Sequence, residues 1–131
     1  MSASTDSRLL PQPSRGEIWF VPFPSDPPGK LHRPVVIISP DARNHHPRAE
    51  TVLVVPFSKT VRPGPTHVTM QAGETGLDYT CDIQAETITT IRKETLVIPR
   101  NPTRKLSETK IRAIAQCVVK ALGFVPGDLA V

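Results

Sequence analysis

The stretch His32-Arg33-Pro34-Val35-Val36-Ile37-Ile38-Ser39-Pro40 constrains the fold more than any other in this chain. Val35 to Ile38 is four β-branched residues without a polar break. Such a run predicts a strand buried on both faces. Pro34 has a locked φ and no N–H, which suits the first residue of a strand. Arg33 precedes a proline and is therefore biased to extended backbone. A guanidinium thus stands at the mouth of a rigid strand. Two roles are open to it there: closing a structural salt bridge, or receiving an anion such as a phosphate. Position alone does not separate them.

The rest of the chain fits a domain of short strands. Fifteen prolines and seven glycines in 131 residues argue for edges and turns over a helical bundle. Residues 1–14, with Pro11 and Pro13, read as a flexible arm. Residues 15–124 read as one domain and 125–131 as a short tail. Ile18 to Val21 is aromatic and β-branched, hence a first strand. The proline-rich segment Pro22 to Lys30 is an irregular loop leading to Arg33. A single helical turn is expected over Pro40 to Asn44. Thr51 to Phe57 makes a third strand, with a bulge or edge expected at Pro56. Thr66 to Met70 is a short strand, and Gly73 to Asp78 a turn region. Cys81 to Ile91 alternates, with Cys81, Ile83, Ala85 and Ile91 on one side and Asp82, Gln84 and Glu86 on the other. Ile88 breaks this alternation, so the strand is expected to bend or split near Glu86. Leu96 to Ile98 reads as a last short strand. Ser107 to Leu122 is the one clear helix, with Ser107 as N-cap and Gly123 at C′. Its apolar stripe is Ile111, Ile114, Ala115, Val118 and Leu122. The pattern predicts a mainly β fold: a small, strongly curved antiparallel barrel with a C-terminal helix covering one opening.

Charge and motif content narrow the function classes. Sixteen basic against twelve acidic residues give a net charge of +4. That balance is compatible with a polyanionic partner and does not require one. No run has transmembrane length and no apolar signal core opens the chain, so a cytoplasmic location without membrane contact is expected. Cys81 and Cys117 form no Cys-x-x-Cys and are expected as reduced thiols. No metal is expected: adjacent His45 and His46 face apart on a strand, and no Asp, Glu or Cys cluster sits at ligand spacing. Walker, GxGxxG and GxSxG motifs are absent, so no nucleotide cofactor is indicated. What remains is a set of polar groups at strand ends: Arg33, Ser58, Lys59, His67 and Glu86. Arginine, a hydroxyl and backbone donors suit an in-line attack at phosphorus, and RNA supplies its own nucleophile in the 2′-OH. Each residue also has a plainer role. Ser after a strand commonly bonds local backbone. His67 fits a core or hydrogen-bonding position, Glu86 a solvated strand face, and Trp19 the core.

Arg15-Gly16-Glu17-Ile18-Trp19, then His32 to Pro40, then Val54-Val55-Pro56-Phe57-Ser58, then Pro65-Thr66-His67-Val68, then Glu86-Thr87-Ile88-Thr89-Thr90-Ile91 with Lys93 and Leu96 occur in that order. This resembles the MazF/PemK family of type II toxin–antitoxin toxins over about residues 15–123. The resemblance implies an SH3-like barrel working as a homodimer. It implies a metal-independent, sequence-selective endoribonuclease that cuts single-stranded RNA, especially mRNA, to a 2′,3′-cyclic phosphate and a 5′-hydroxyl, arresting translation and growth. It also implies a cognate antitoxin that lays a disordered acidic segment across the RNA groove. The family's catalytic arginine falls on Arg33 and its hydroxyl residue, usually Thr, on Ser58. Lys30, His32, Lys59, Thr60, Arg62, His67, Glu86 and Thr87 are then expected to contact RNA.

One departure matters. Where the family often has an acidic residue followed by Gln-Ile-Arg, this chain has Glu86-Thr87-Ile88-Thr89, losing a long amide and a cation. Two alternatives therefore stand beside the nuclease. One is a non-catalytic RNA- or antitoxin-binding relative. The other is a gyrase-poisoning toxin of the CcdB type, whose Trp-Gly-Ile ending is not matched by Asp128-Leu129-Ala130-Val131.

Overall fold

Proline and β-branched residues set the strand ends. In the computed structural model, which describes residues 10–29, 31–98 and 105–129, six strands and two helices follow in order. They are β1 (Ile18–Val21), β2 (Arg33–Ile37), α1 (Asp41–Asn44), β3 (Thr51–Ser58), β4 (His67–Met70), β5 (Cys81–Gln84), β6 (Thr89–Arg92) and α2 (Glu108–Ala121). All pairings are antiparallel, in the order β1-β2-β3-β5-β4, with β6 also on β3.

β3 is the hub. One flank pairs with β2; the other pairs with β6 over Thr51 to Val54 and with β5 over Phe57 and Ser58. Pro56, which lacks an N–H, falls where that flank passes from β6 to β5. The continuous Cys81–Ile91 strand splits as its broken alternation suggests. A 3-10 turn at Ala85–Thr87 separates β5 from β6. The strand expected over Leu96 to Ile98 is instead a single bridge between Val97 and Phe20, reached through a 3-10 turn at Lys93–Thr95. Its two backbone bonds, 3.0 and 2.8 Å, bring the ring β1-β2-β3-β6 back to β1 without a full ladder. The barrel is thus curved but incompletely closed.

The unbroken run in β2 has a clear cause. Val35 and Ile37 enter one core with Val21, Phe23, Val52, Val54, Ile91 and Leu96, inside the barrel. Val36 enters a second core with Ile18, Val55, Phe57, Met70, Ile83 and Ile111, Ile114 of α2. The helix therefore packs on the face of β2 opposite to the Val35 and Ile37 core. Both faces of β2 and β3 must be apolar for that reason. Trp19 packs against the first core. The helix stripe differs in one place: Leu122 is 66% exposed, and Cys117 is buried with Ile111 and Ile114. Helix α2 ends at Ala121, so Leu122 lies past the packed face. Ser107 caps the helix as its position suggests, its hydroxyl oxygen accepting from the Lys110 N–H. Residues 1–9 of the expected arm lie outside the described residues. Its inner end is held, with Pro13 buried and the Ser14 N–H donating to Glu17 at 2.6 Å.

Candidate nuclease site

Register brings the two chemical groups together. Val35 of β2 lies opposite Pro56 of β3, and Arg33 and Ser58 each lie two residues beyond that pair, at the ends of their strands. On their other sides Arg33 pairs with Val21 and Ser58 with Asp82. Both side chains line one cleft of about 500 Å³, with Phe20, Leu31, His32, Pro34, Phe57, Lys59, Thr60 and Tyr79.

Arg33 takes on the salt-bridging role that its position left open, and keeps its place in the cleft. Its Nη2 and Nε donate to the two carboxylate oxygens of Asp26 at 2.6 and 3.2 Å. Its guanidinium also lies 5.2 Å from the centre of the Phe23 ring. The side chain remains 20% exposed. A fork clamped from behind and stacked on an aromatic loses little further entropy on meeting an anion. Ser58 shows its plainer role too: its hydroxyl oxygen accepts from the Thr60 N–H at 3.1 Å. That contact shapes the turn after β3 and leaves the hydroxyl proton facing other partners. Lys59 Nζ sits 4.8 Å from the centre of the Tyr79 ring. Burial, with Cys81 and Asp78 nearby, pushes the Tyr79 phenol above its usual range.

Arg62, His67, Glu86 and Thr87 do not line this cleft. The first three belong to a second cluster around Asp82. His67 Nε2 meets Glu86 at 2.7 Å, and its Nδ1 meets Asp82 at 2.7 Å and the Arg62 carbonyl at 2.5 Å. Each ring nitrogen thus faces acceptors, which the imidazolium alone satisfies fully. The hydrogen bond His67 donates to Glu86 raises the His67 pKa against the effect of burial, helped by the Arg62 carbonyl and the two carboxylates. Burial raises the Glu86 carboxyl, yet His67, backbone and Thr66 hydrogen bonds leave it below its ordinary value. Asp82 was expected on the polar face of its strand. It is fully buried instead, accepting the Arg62 N–H at 3.0 Å and the Thr69 hydroxyl at 3.1 Å. The cluster pins the segment from Lys59 to Pro65, which leads away from the cleft, to β4 and β5. The Thr87 carbonyl accepts the Thr89 hydroxyl. Lys30 lies outside the described residues.

Comparison with known proteins decides the family. The family model described as PemK-like, MazF-like toxin of type II toxin–antitoxin system matches residues 14–122. The chain belongs to that toxin family. No curated protein sequence matches the chain. Among solved structures, an endoribonuclease in complex with its cognate antitoxin from a mycobacterial species is 26% identical. That match covers 86% of this chain and 96% of the other, with a TM-score of 0.66. The Mycobacterium tuberculosis toxin MazF-mt6 is 22% identical over 82% of this chain and 97% of its own, TM-score 0.66. MazE–MazF from Deinococcus radiodurans is 17% identical over 86% and 96%, TM-score 0.63. On this MazF-like frame, Asp26, which holds Arg33, and Tyr79, which lines the cleft, are residues of the candidate site that pattern reading missed. Asp26 was hidden in the proline-rich loop, and Tyr79, the chain's only tyrosine, in a turn region. No periodicity marks either one.

Proposed function

We propose that this MazF-like toxin is a metal-independent endoribonuclease acting on single-stranded RNA. The observation that carries the reading is that Arg33 and Ser58 line one cleft in a chain of this family. The 2′-oxygen attacks the adjacent phosphorus and gives up its proton. The bond from phosphorus to the 5′-oxygen breaks, and that oxygen takes up a proton. A 2′,3′-cyclic phosphate and a 5′-hydroxyl result. Arg33 stabilises the charge that builds on the non-bridging oxygens. Ser58 orients the phosphate or relays a proton, with His32 and Thr60 flanking it. Asp26 holds the guanidinium in place.

The mycobacterial relative of known structure is bound to its cognate antitoxin. By analogy, an antitoxin with a disordered acidic segment would compete with RNA for this cleft. Residues 15–124 are assigned as the toxin domain, acting as a homodimer. Leu122, Phe124, Val125 and Leu129, exposed beyond α2, are apolar surface that a second copy would cover. Among the described residues no helix is long and apolar enough to cross a membrane.

The test is cleavage of a long single-stranded RNA in EDTA, with product ends mapped. Discrete cuts ending in cyclic phosphate are expected. Arg33→Ala should reduce the rate by about 10²–10³-fold while the protein stays folded. Unchanged cleavage by Arg33→Ala removes the assignment. RNA binding without cleavage by the wild-type protein favours the non-catalytic relative.

A further inference from the structure

Among the described residues that line the cleft, only Arg33 and Lys59 carry a fixed charge. Arg33 is clamped by both oxygens of Asp26, so that pair adds little net field at the cleft. Lys59 has no carboxylate partner among the described residues; its ammonium rests over the Tyr79 ring. A lysine on a bend ordinarily samples many rotamers in water. Here an aromatic face holds the ammonium at the rim, one residue from Ser58. The tyrosine is itself fixed, because its ring packs against the core shared by α2 and the sheet.

We propose that Tyr79 is a positioning residue that holds Lys59 as the uncompensated cation attracting the phosphodiester chain of single-stranded RNA into the cleft. The proposal rests on the nuclease reading and assigns that site its source of electrostatic attraction. Arg33 then serves the reacting phosphate, whereas Lys59 serves capture.

Binding of a 2′-O-methyl RNA oligonucleotide, which the enzyme cannot cleave, separates the two. Lys59→Gln should weaken binding and lower the slope of log affinity against log salt by about 0.7, one phosphate contact for a single strand. Lys59→Arg, which keeps the charge and stacks well on the ring, should restore both. Tyr79→Leu should weaken binding by about two- to fivefold, and Tyr79→Phe should match wild type, because the ring face and not the hydroxyl meets the ammonium. In the Lys59→Gln background, Tyr79→Leu should have no further effect. Tyr79→Met serves as a second packing-conserving variant if the leucine variant fails to fold.

Equal losses from Tyr79→Leu with and without Lys59 overturn the proposal, as does an unchanged salt slope in Lys59→Gln. Wild-type protein that binds and cleaves RNA while showing either result loses only this inference. Wild-type protein that neither binds nor cleaves RNA removes the nuclease reading itself.

Discussion

Lys93 is the residue whose environment most contradicts its chemistry. It is 1% exposed, in the 3-10 turn after β6. Among the described residues its ammonium reaches only the His46 carbonyl, at 3.4 Å, with the Arg43 cation nearby. Burial, and then Arg43, lower its pKa. A buried cation served by one long hydrogen bond is costly, and its stem already fills apolar space. Lys93→Met keeps that volume and removes the desolvated charge. It should stabilise the domain by about 1 kcal/mol, or about 4 °C in thermal melting. A lower melting temperature would mean that the ammonium has a stabilising role the static contacts do not reveal. The periodic pattern of the chain gave no warning of this site, because a lysine after a strand ordinarily marks the surface.

At the scale of elements, the seating of α2 depends on a glycine. Gly16 has φ +90°, and a Cβ there would lie 2.7 Å from Cδ1 of Ile111. Its N–H donates to the Ile37 carbonyl at 2.7 Å, and its carbonyl accepts the Leu106 N–H at 2.9 Å. One residue thus joins the sheet to the start of the helix. Gly16→Ala combines left-handed backbone strain with overpacking and should cost about 2–4 kcal/mol in urea unfolding. Gly29 also has a positive φ, at +83°, but among the described residues nothing lies within 4 Å of where a Cβ would stand. Gly29→Ala should therefore cost only about 1–2 kcal/mol, the backbone part alone. Similar losses at both positions would show that the close approach to Ile111 is relieved by small shifts.

For the whole molecule, the cluster of His67, Asp82 and Glu86 makes stability depend on pH. His67 has its pKa raised above the ordinary 6.5. Its contribution is therefore complete below pH 6.5 and is lost as pH rises through the folded value. Glu86 has its pKa lowered below the ordinary 4.5. Its contribution is complete above pH 4.5 and is lost as pH falls through its folded value. Both are present together between about pH 4.5 and 6.5, so stability should peak there and fall toward pH 8. In His67→Gln the fall between pH 6 and 8 should be absent, and the variant should be less stable at pH 6. Parallel pH profiles for wild type and variant in thermal melts would separate the cluster from the pH response.

Local pattern determined much of this protein on its own. The apolar run of β2, the capped helix α2 and the break near Glu86 were legible because periodicity and capping act over a few residues. The placing of Arg33 and Ser58 at strand ends was legible for the same reason. Only the tertiary structure decided what those ends meet. The pairing of β2 with β3 brought the ends that carry Arg33 and Ser58 to one cleft, folding of the proline-rich loop supplied Asp26, and the turn before β5 supplied Tyr79. The burial of Asp82 likewise arose from partners on β4 and the loop after β3, which cancel the cost of removing a carboxylate from water. Polar and ring contacts such as Arg33 with Asp26 and Lys59 with Tyr79 leave no mark on local hydrophobic pattern, because they depend on where the loops fold and not on which residues alternate.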